Sequence, residues 1–349
     1  MADTKISGLP ASTTPLAGTE VLPIVQGTTT KQVSIANVTA GRAVSALSLT
    51  STNDASISGL TVGKGGGAIS TNTSVGVSAL GANTTGSNNI AIGNTALSSM
   101  QTGVQNIALG NNAMFNATGS ENVAVGYNAL NGLTSGGTNV AVGNSSLLRT
   151  TSASNNTGFG YHAVRFFTGG SNTGVGYKTL NGVDGSSTGT NNTALGYQAG
   201  TALTTGSNNT IIGYNAAASA ATVSNEITLG NSSVATLRCQ VTSITALSDS
   251  RDKANIQPIA AGLDFVNQLK PVSFDWNMRD GGKVGIPDTG FIAQDLKQVQ
   301  IDTGIEIPGL VYESNPESME AAYGKLLPVL VKALQELNTK FNEYVAAHP

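Results

Sequence analysis

Few side chains of this 349-residue sequence could take part in catalysis or bind a metal. An enzyme that cleaves a polysaccharide needs two carboxylates about 5 to 10 Å apart. Between Thr71 and Asn225 the only acidic residues are Glu121 and Asp184, which lie several repeat units apart. We therefore expect no glycosidase site within one chain, although a pair assembled from two protomers stays open.

The histidines and the cysteine of the sequence give little indication of a metal site or a reactive thiol. His162 has no His or Cys partner at the spacing of a zinc site, so we expect no metal and no other cofactor. Cys239 is the single cysteine, which excludes an intrachain disulfide. A small buried apolar side chain is its expected role, with a functional thiol or a cross-link between copies as the alternatives.

One short segment concentrates aromatic and cationic side chains. It contains Tyr161, His162, Arg165, Phe166 and Phe167. We expect it to contact a receptor, the alternative being an irregular turn packed for structural reasons.

A sequence repeat predicts the secondary structure around these residues. One glycine recurs at steps of 16 to 20 residues, with a large apolar residue directly before it and, in nine of ten cases, Asn four residues before it. The glycines are Gly76, Gly93, Gly110, Gly126, Gly143, Gly160, Gly176, Gly196, Gly213 and Gly230. Each unit predicts a short strand, a glycine corner, a second short stretch and a turn.

A single coil of this kind buries few apolar side chains, so coils must stack. The asparagines suit turns, where their side chains can bond to backbone or to the equivalent residue of the next coil. Winding three copies around one axis would close the thin core better than one chain alone.

Tyrosine follows the repeat glycine in five coils. These residues are Tyr127, Tyr161, Tyr177, Tyr197 and Tyr214. An aromatic ladder along the shaft would result, either as a sugar-binding surface or as packing between coils or protomers.

The composition agrees with a repetitive β architecture. The chain has 43 Gly, 11% charged residues against a usual share of about 25%, and a net charge of −3. No Lys/Arg run suggests a nucleic-acid partner, and no apolar run approaches the roughly 18 to 20 residues of a membrane span. We also expect no secretory signal, because the polar start lacks an apolar segment.

The repeat also carries a family resemblance. The unit Asn89-Ile-Ala-Ile-Gly93-Asn-Thr-Ala-Leu97 resembles the left-handed β-roll of trimeric autotransporter adhesin heads and the shafts of several phage tail fibres. Segment Lys5 to Val38 resembles the N-terminal pieces of phage tail proteins and predicts a hairpin of Glu20–Gln26 with Lys31–Val38.

The last 100 residues carry a more specific resemblance. Segment Leu247 to Ile259 is similar to the start of the intramolecular chaperone domain of endosialidase tailspikes and other phage fibres. The similarity continues through Leu269–Trp276, Gly290–Asp295 and Tyr323–Leu337 in that order.

In that family a Ser–Lys dyad cuts the chain directly before its serine. The resemblance assigns the nucleophile to Ser248 and the base to Lys253, with support from Asp249 and Arg251, and places the scissile bond between Leu247 and Ser248. Residues five apart on a regular helix would point about 140° from each other. A turn between them, or a meeting across protomers, is therefore expected; the second would couple cleavage to assembly. By itself, Ser248-Asp-Ser is equally typical of a helix N-cap.

The predicted fold is a mainly β, homotrimeric repeat shaft of the left-handed β-roll or triple β-helix type, with a C-terminal α+β chaperone domain. We divide the chain into a virion-attachment segment (1–40), a thin linker or shaft (41–70), repeats (71–237), a neck (238–247) and the chaperone domain (248–349).

The final helix is expected to form a trimeric coiled coil. Its apolar positions are Leu330, Ala333, Leu337, Phe341 and Tyr344.

The predicted function is that of a phage tail fibre. It would be assembled in the host cytoplasm, attach to the tail or baseplate of the virion through residues 1–40, and recognise a host surface glycan or protein. A tailspike depolymerase acting on host polysaccharide is the alternative. A bacterial surface adhesin would require an export signal and a membrane anchor, which we do not expect here.

Overall fold

In a computed structural model, the described residues are 21–26, 29–34, 54–57, 59–234, 236–238, 240, 248–279, 281–313, 315 and 317–348. Cys239, Leu247 and most of the predicted neck lie outside them. The chain divides into two compact units, Met1–Thr52 and Asn53–Pro349.

The first unit contains the predicted hairpin. Strand β1 (Val21–Gln26) pairs antiparallel with β2 (Thr29–Ser34), and Gln26 faces Thr29 across the ladder. The hairpin prediction is confirmed, although β2 begins two residues earlier than expected. Residues 35–38, the end of the predicted second strand, lie outside the described part.

The described part of the second unit contains a sheet of twelve strands, the last ten of which are short, pair in parallel and follow one per coil of a β-solenoid. The strands are β3 (Ala55–Ile57), β4 (Leu60–Gly63), β5 (Thr73–Val75), β6 (Ile90–Ile92), β7 (Ile107–Leu109), β8 (Val123–Val125), β9 (Val140–Val142), β10 (Thr157–Phe159), β11 (Thr173–Val175), β12 (Thr193–Leu195), β13 (Thr210–Ile212) and β14 (Ile227–Leu229). From β5 to β14 consecutive strands of the same chain pair in register. This is the β-roll type of winding, in which a chain pairs with itself, and not the triple β-helix type.

Each strand ends directly before the repeat glycine, as the pattern predicted. Gly93 has φ +137°, a region closed to other residues, and a Cβ there would lie 2.4 Å from the carbonyl oxygen of Gly110 in the next coil. The glycine is therefore required both by the corner and by the close approach of neighbouring coils.

The coils share one continuous core. The middle residue of a strand points inward, as Ala91 does, and it packs with residues after the glycine such as Ala96, Leu97 and Met100. All four side chains have no exposed surface. The few small side chains that each coil buries explain why stacking is obligatory.

Buried asparagines join the coils in a ladder. From Asn72 to Asn209, the Oδ1 atom of each repeat asparagine accepts the backbone N–H of the next one at 2.9–3.1 Å. Most of the Nδ2 groups also donate to a carbonyl of the following coil. Both bonding modes expected of the asparagines therefore occur together.

Both ends of the solenoid are closed by departures from the repeat. At the start, β3 and β4 lie within the segment expected as a linker, and β4 pairs antiparallel with β5. At the other end Glu226 replaces asparagine. Its N–H donates to Asn209 Oδ1, and its carboxylate accepts from the Ser219 amide and hydroxyl and from the Thr228 hydroxyl.

The C-terminal part is an α+β domain. It contains helices α1 (Leu263–Val266), α2 (Ala293–Thr303) and α3 (Leu326–Ala347), with antiparallel pairs of β15 (Val272–Asn277) with β16 (Val284–Gly290) and β17 (Val311–Tyr312) with β18 (Glu320–Ala321). Their core is built from Ala261, Phe265, Leu296, Val299, Leu310, Leu326 and Val329.

The exposed apolar stripe of helix α3 differs from the predicted one at a single position, where it has Leu334 in place of Ala333. Ala333 is buried against its own chain, whereas Leu334 is 67% exposed. The exposed stripe alternates steps of three and four residues: Leu327, Leu330, Leu334, Leu337, Phe341 and Tyr344. Leu334 therefore takes the place that the sequence pattern gave to Ala333, because Ala333 already lies on the buried side of the helix.

Candidate autoprocessing site

Ser248 and Lys253 meet across a tight turn. A single 3₁₀ turn at Ser250–Asp252 separates them. Lys253 Nζ lies 2.5 Å from Ser248 Oγ and 3.4 Å from the Ser248 carbonyl oxygen. The structure thus has the turn geometry within one chain and brings an amine into hydrogen-bond contact with a hydroxyl, the arrangement required for base-assisted nucleophilic attack.

Asp249 and Arg251 hold this turn. Asp249 caps it by accepting the Arg251 amide at 2.8 Å, and its carboxylate binds the Arg251 guanidinium at 2.6–3.1 Å. These bonds lower the pKa of Asp249 and raise that of Arg251. The N-cap role and the supporting role expected for Asp249 are therefore compatible.

In the single chain the turn is open to water. Ser248 is exposed, as is every residue from Ser250 to Ala260, including the apolar Ile256 and Ile259. A lysine acting as general base must lose its proton, which water around the ammonium disfavours and burial favours. The arrangement has the atoms for the reaction but lacks enclosure in one chain.

Two functional candidates on α3 were missed by sequence reasoning. Lys332 Nζ donates to the Ile259 and Ala260 carbonyls, and Glu336 accepts the Leu263 amide at 2.7 Å. This bond and the nearby Lys332 hold the pKa of Glu336 below its ordinary value, against a smaller effect of burial. The i, i+4 Lys–Glu spacing was visible in the sequence, but its contact with a segment about 70 residues earlier was not.

Two of the motif blocks meet in space. The Tyr323 hydroxyl donates to the Phe291 carbonyl at 2.7 Å, and the two rings pack edge to face. A Cβ on Gly290 would lie 3.0 Å from the same hydroxyl oxygen. Gly290 in one block, which has no side chain, thus leaves the space that the Tyr323 ring of the other block occupies.

The expected receptor segment is only partly accessible. Phe167 is fully buried in the solenoid core, which corrects its assignment as a receptor contact. Tyr161 is exposed, and His162 stacks on its ring at 3.8 Å. Arg165 lies over the Phe166 ring and 3.4 Å from His162 Nδ1. Burial, with Arg165 and Lys178 nearby, lowers the pKa of His162.

Four of the five repeat tyrosines form a ladder. Tyr161, Tyr177, Tyr197 and Tyr214 stack nearly parallel, with ring centroids 5.0–5.4 Å apart. Tyr127 does not join, because asparagine follows the glycine in the coils on either side of it. Packing between coils is therefore one role of these rings.

Other chemistry finds no support in the described part of the chain. Asp184 pairs with Arg149 at 3.1 Å, and about three coils separate it from Glu121, or roughly 14 Å at the usual strand spacing. No group of three or more His, Cys, Asp or Glu is placed to hold a metal among the described residues. No helix in the described ranges is long and apolar enough to cross a membrane.

The C-terminal part of the chain is similar to a known protein family. Residues 248–305 match the model of the S74 peptidase family, described as the chaperone of endosialidase. The C-terminal region is an endosialidase-type chaperone domain. Its match begins at Ser248, and it follows a β-solenoid, the organisation of a phage tail fibre or tailspike. No curated protein and no solved structure matched the chain.

Proposed function

We propose that this chain is a homotrimeric phage tail fibre whose C-terminal domain drives trimer assembly and then cuts itself off before Ser248. The main support for self-cleavage is the 2.5 Å contact between Lys253 Nζ and Ser248 Oγ, because Ser248 is the first residue of the chaperone-domain match. In the virion the fibre attaches to the tail or baseplate through residues 1–40 and recognises the host surface with its shaft.

The cleavage step follows from the two side chains. Lys253 takes the proton of the Ser248 hydroxyl while Oγ attacks the carbonyl carbon of Leu247. The bond between that carbon and the Ser248 nitrogen then breaks, and the nitrogen takes the proton from the Lys253 ammonium and leaves as a free amine. The resulting ester joins the Leu247 acyl group to Ser248 Oγ. Water hydrolyses it to a carboxylate and a free hydroxyl, so no oxidant or cofactor is required.

Assembly supplies what the single chain lacks. The turn and the ten residues after it are exposed, with Ile256 and Ile259 among them. Covering this segment with neighbouring protomers removes water from the amine and favours its neutral form. Cleavage would then follow trimer formation and would not precede it.

The outer face of the solenoid sheet supports the trimer. In each strand the first and third residues point outward, as Ile90 and Ile92 do at 36% and 39% exposure. From β5 to β14 all these outward residues are apolar or threonine, and none is charged. Parallel sheets are normally covered on both faces, so we infer that two further copies cover this one.

The exposed stripe of helix α3 supports the same assembly. Its six apolar residues repeat at steps of three and four, which is the heptad spacing of a coiled coil. A local helical element forms quickly, whereas the register of a long β shaft is slow to find. The helix would bring three chains together before the shaft closes.

The test compares the full-length wild type with Lys253→Met, which keeps a similar chain length without an amine. Light scattering should give a trimer for both proteins before cleavage. SDS gels should show loss of the C-terminal fragment from the shaft in wild type alone. A monomer that cleaves at the wild-type rate would contradict the coupling, and efficient cleavage by Lys253→Met would remove lysine as the base.

A further inference from the structure

The tyrosine ladder differs from the rest of the shaft in more than its rings. The coils of Tyr161, Tyr177, Tyr197 and Tyr214 begin with threonine at the first outward strand position. Elsewhere from β5 to β14 that position holds Ile or Val, apart from Thr73. The position after the glycine and the first outward strand position therefore change together over the same four coils.

Apart from the outer face of Tyr214, the ring faces are covered by neighbouring rings, so a ligand that runs along the ladder must approach the ring edges. Neighbouring rings are tilted by only 9–16° and cover one another, and His162 covers the free face of Tyr161. The four side chains remain 37–63% exposed at their edges. Within the described residues, none of their hydroxyls hydrogen-bonds to another group of the chain. The ladder thus presents a row of unpartnered hydroxyls at regular spacing.

A polar column runs beside the rings. The residues directly after the four tyrosines are His162, Lys178, Gln198 and Asn215. Lys178 Nζ lies 5.3 Å from the Tyr177 ring centre. The cores of protein–protein interfaces are depleted in charge, so this column does not suit contact with another protomer.

Within the repeats, positive charge is confined to the same region. Between Thr71 and Asn225 the only cations are Arg149, Arg165 and Lys178, and Asp184 pairs with Arg149. Arg165 lies against His162, which covers the end of the ladder. A chain with net charge −3 therefore has a local positive region at its aromatic ladder.

We propose that the edge of the Tyr161–Tyr214 ladder, with Lys178 beside it, binds an acidic host-surface polysaccharide along the shaft. The hydroxyls bond to successive sugar hydroxyls, the ring edges contact the apolar C–H groups of the sugars, and Lys178 pairs with a carboxylate or phosphate. Because this rests on the proposed host-recognition role, it names the site and the ligand class of that role.

The repeat itself provides the variants. Asparagine stands in place of the tyrosine at Asn94, Asn111, Asn144 and Asn231, so Tyr→Asn is a change that the fold already accommodates. The test variants are the double change Tyr177→Asn with Tyr197→Asn, and Lys178→Gln. Tyr127→Asn is the matched control, because Tyr127 is 51% exposed at the same repeat position but has no stacked neighbour.

The experiment measures binding of full-length protein to an array of purified bacterial surface polysaccharides, with acidic and neutral members in equal number. Wild type and Tyr127→Asn should bind at least one acidic polysaccharide, and salt should weaken that binding. The double variant should bind at least about tenfold more weakly. Lys178→Gln should lose about tenfold.

Three results would overturn the proposal. In the first, wild type binds neutral but not acidic polysaccharides, or binds no polysaccharide at all. In the second, the double variant binds as tightly as wild type. In the third, the double variant no longer forms a trimer. The last would make the ladder a protomer contact. Light scattering of the same samples separates these results from failure of the fibre proposal, in which wild type itself would not be trimeric.

Discussion

Removing one rung of the asparagine ladder should destabilise the shaft locally and strongly. Asn139 sits near its middle, where Oδ1 accepts the Asn156 amide at 2.9 Å and Nδ2 donates to the Ala153 carbonyl at 3.0 Å. Asn139→Ala leaves both backbone groups without those partners. A buried polar group that loses its partner costs about 1–3 kcal/mol, and this applies in full to the Asn156 amide. The Ala153 carbonyl is only partly buried and adds less, so the change should cost about 1–4 kcal/mol.

Hydrogen exchange followed by mass spectrometry suits this test, because it reports opening coil by coil. In Asn139→Ala, peptides covering β9 and β10 should exchange faster by the factor that matches this free energy, while distant coils change less. Asn111→Ala is the control, since Asn111 is exposed and should change stability by no more than about 0.5 kcal/mol. Equal protection in both variants would refute the account of the ladder.

Three further predictions concern the solenoid end and the C-terminal domain. Burial raises the pKa of Glu226, but hydrogen bonds from Ser219 and Thr228 outweigh it, so the pKa lies below its ordinary value. The Glu226 carboxylate therefore stabilises the fold fully above the ordinary carboxyl pKa, and this stabilisation is lost as pH falls through the lower pKa of the folded state. The protection of the last coil, taken relative to the intrinsic exchange rate at each pH, should therefore fall in acid in wild type but vary little with pH in Glu226→Gln, and wild-type protection that does not change in acid would exclude this role. Leu334→Asp should abolish the trimer in light scattering, whereas Gln335→Asp should keep it; a trimeric Leu334→Asp would show that the α3 stripe is not the contact. Lys332→Met should slow cleavage without changing trimer mass, because Lys332 holds the segment that follows the turn, and unchanged cleavage would limit Lys332 to a structural role.

The solenoid was predictable because every coil uses the same residue types at the same positions. The glycine, the residue before it and the asparagine each recur in register, and the structure gives each the same place in successive coils. The same register would also have shown that Phe167 is buried. It stands seven residues after its glycine, as do Met100, Ala117 and Leu133, and all of these are core residues. Aromatic character drew attention to Phe167, whereas its position in the coil decided its burial.

The details of the C-terminal domain depend on contacts that the sequence does not display. The helical periodicity of α3 is compatible with Ala333 or Leu334 on the exposed stripe, and the burial of Ala333 against its own chain decides for Leu334. Likewise, five-residue spacing alone left Ser248 and Lys253 either in a turn or across protomers. The 3₁₀ turn that joins them is fixed by the Asp249–Arg251 contact, which is a property of side-chain geometry.

The most direct test of the central claim is the intact mass of the purified full-length protein, compared with Ser248→Ala. Wild type should separate under denaturing conditions into two pieces whose masses place the break between Leu247 and Ser248. Ser248→Ala should keep the full mass while forming the same trimer. An uncut wild-type trimer, or a Ser248→Ala protein cut at the same bond, would contradict self-cleavage by the Ser248 hydroxyl.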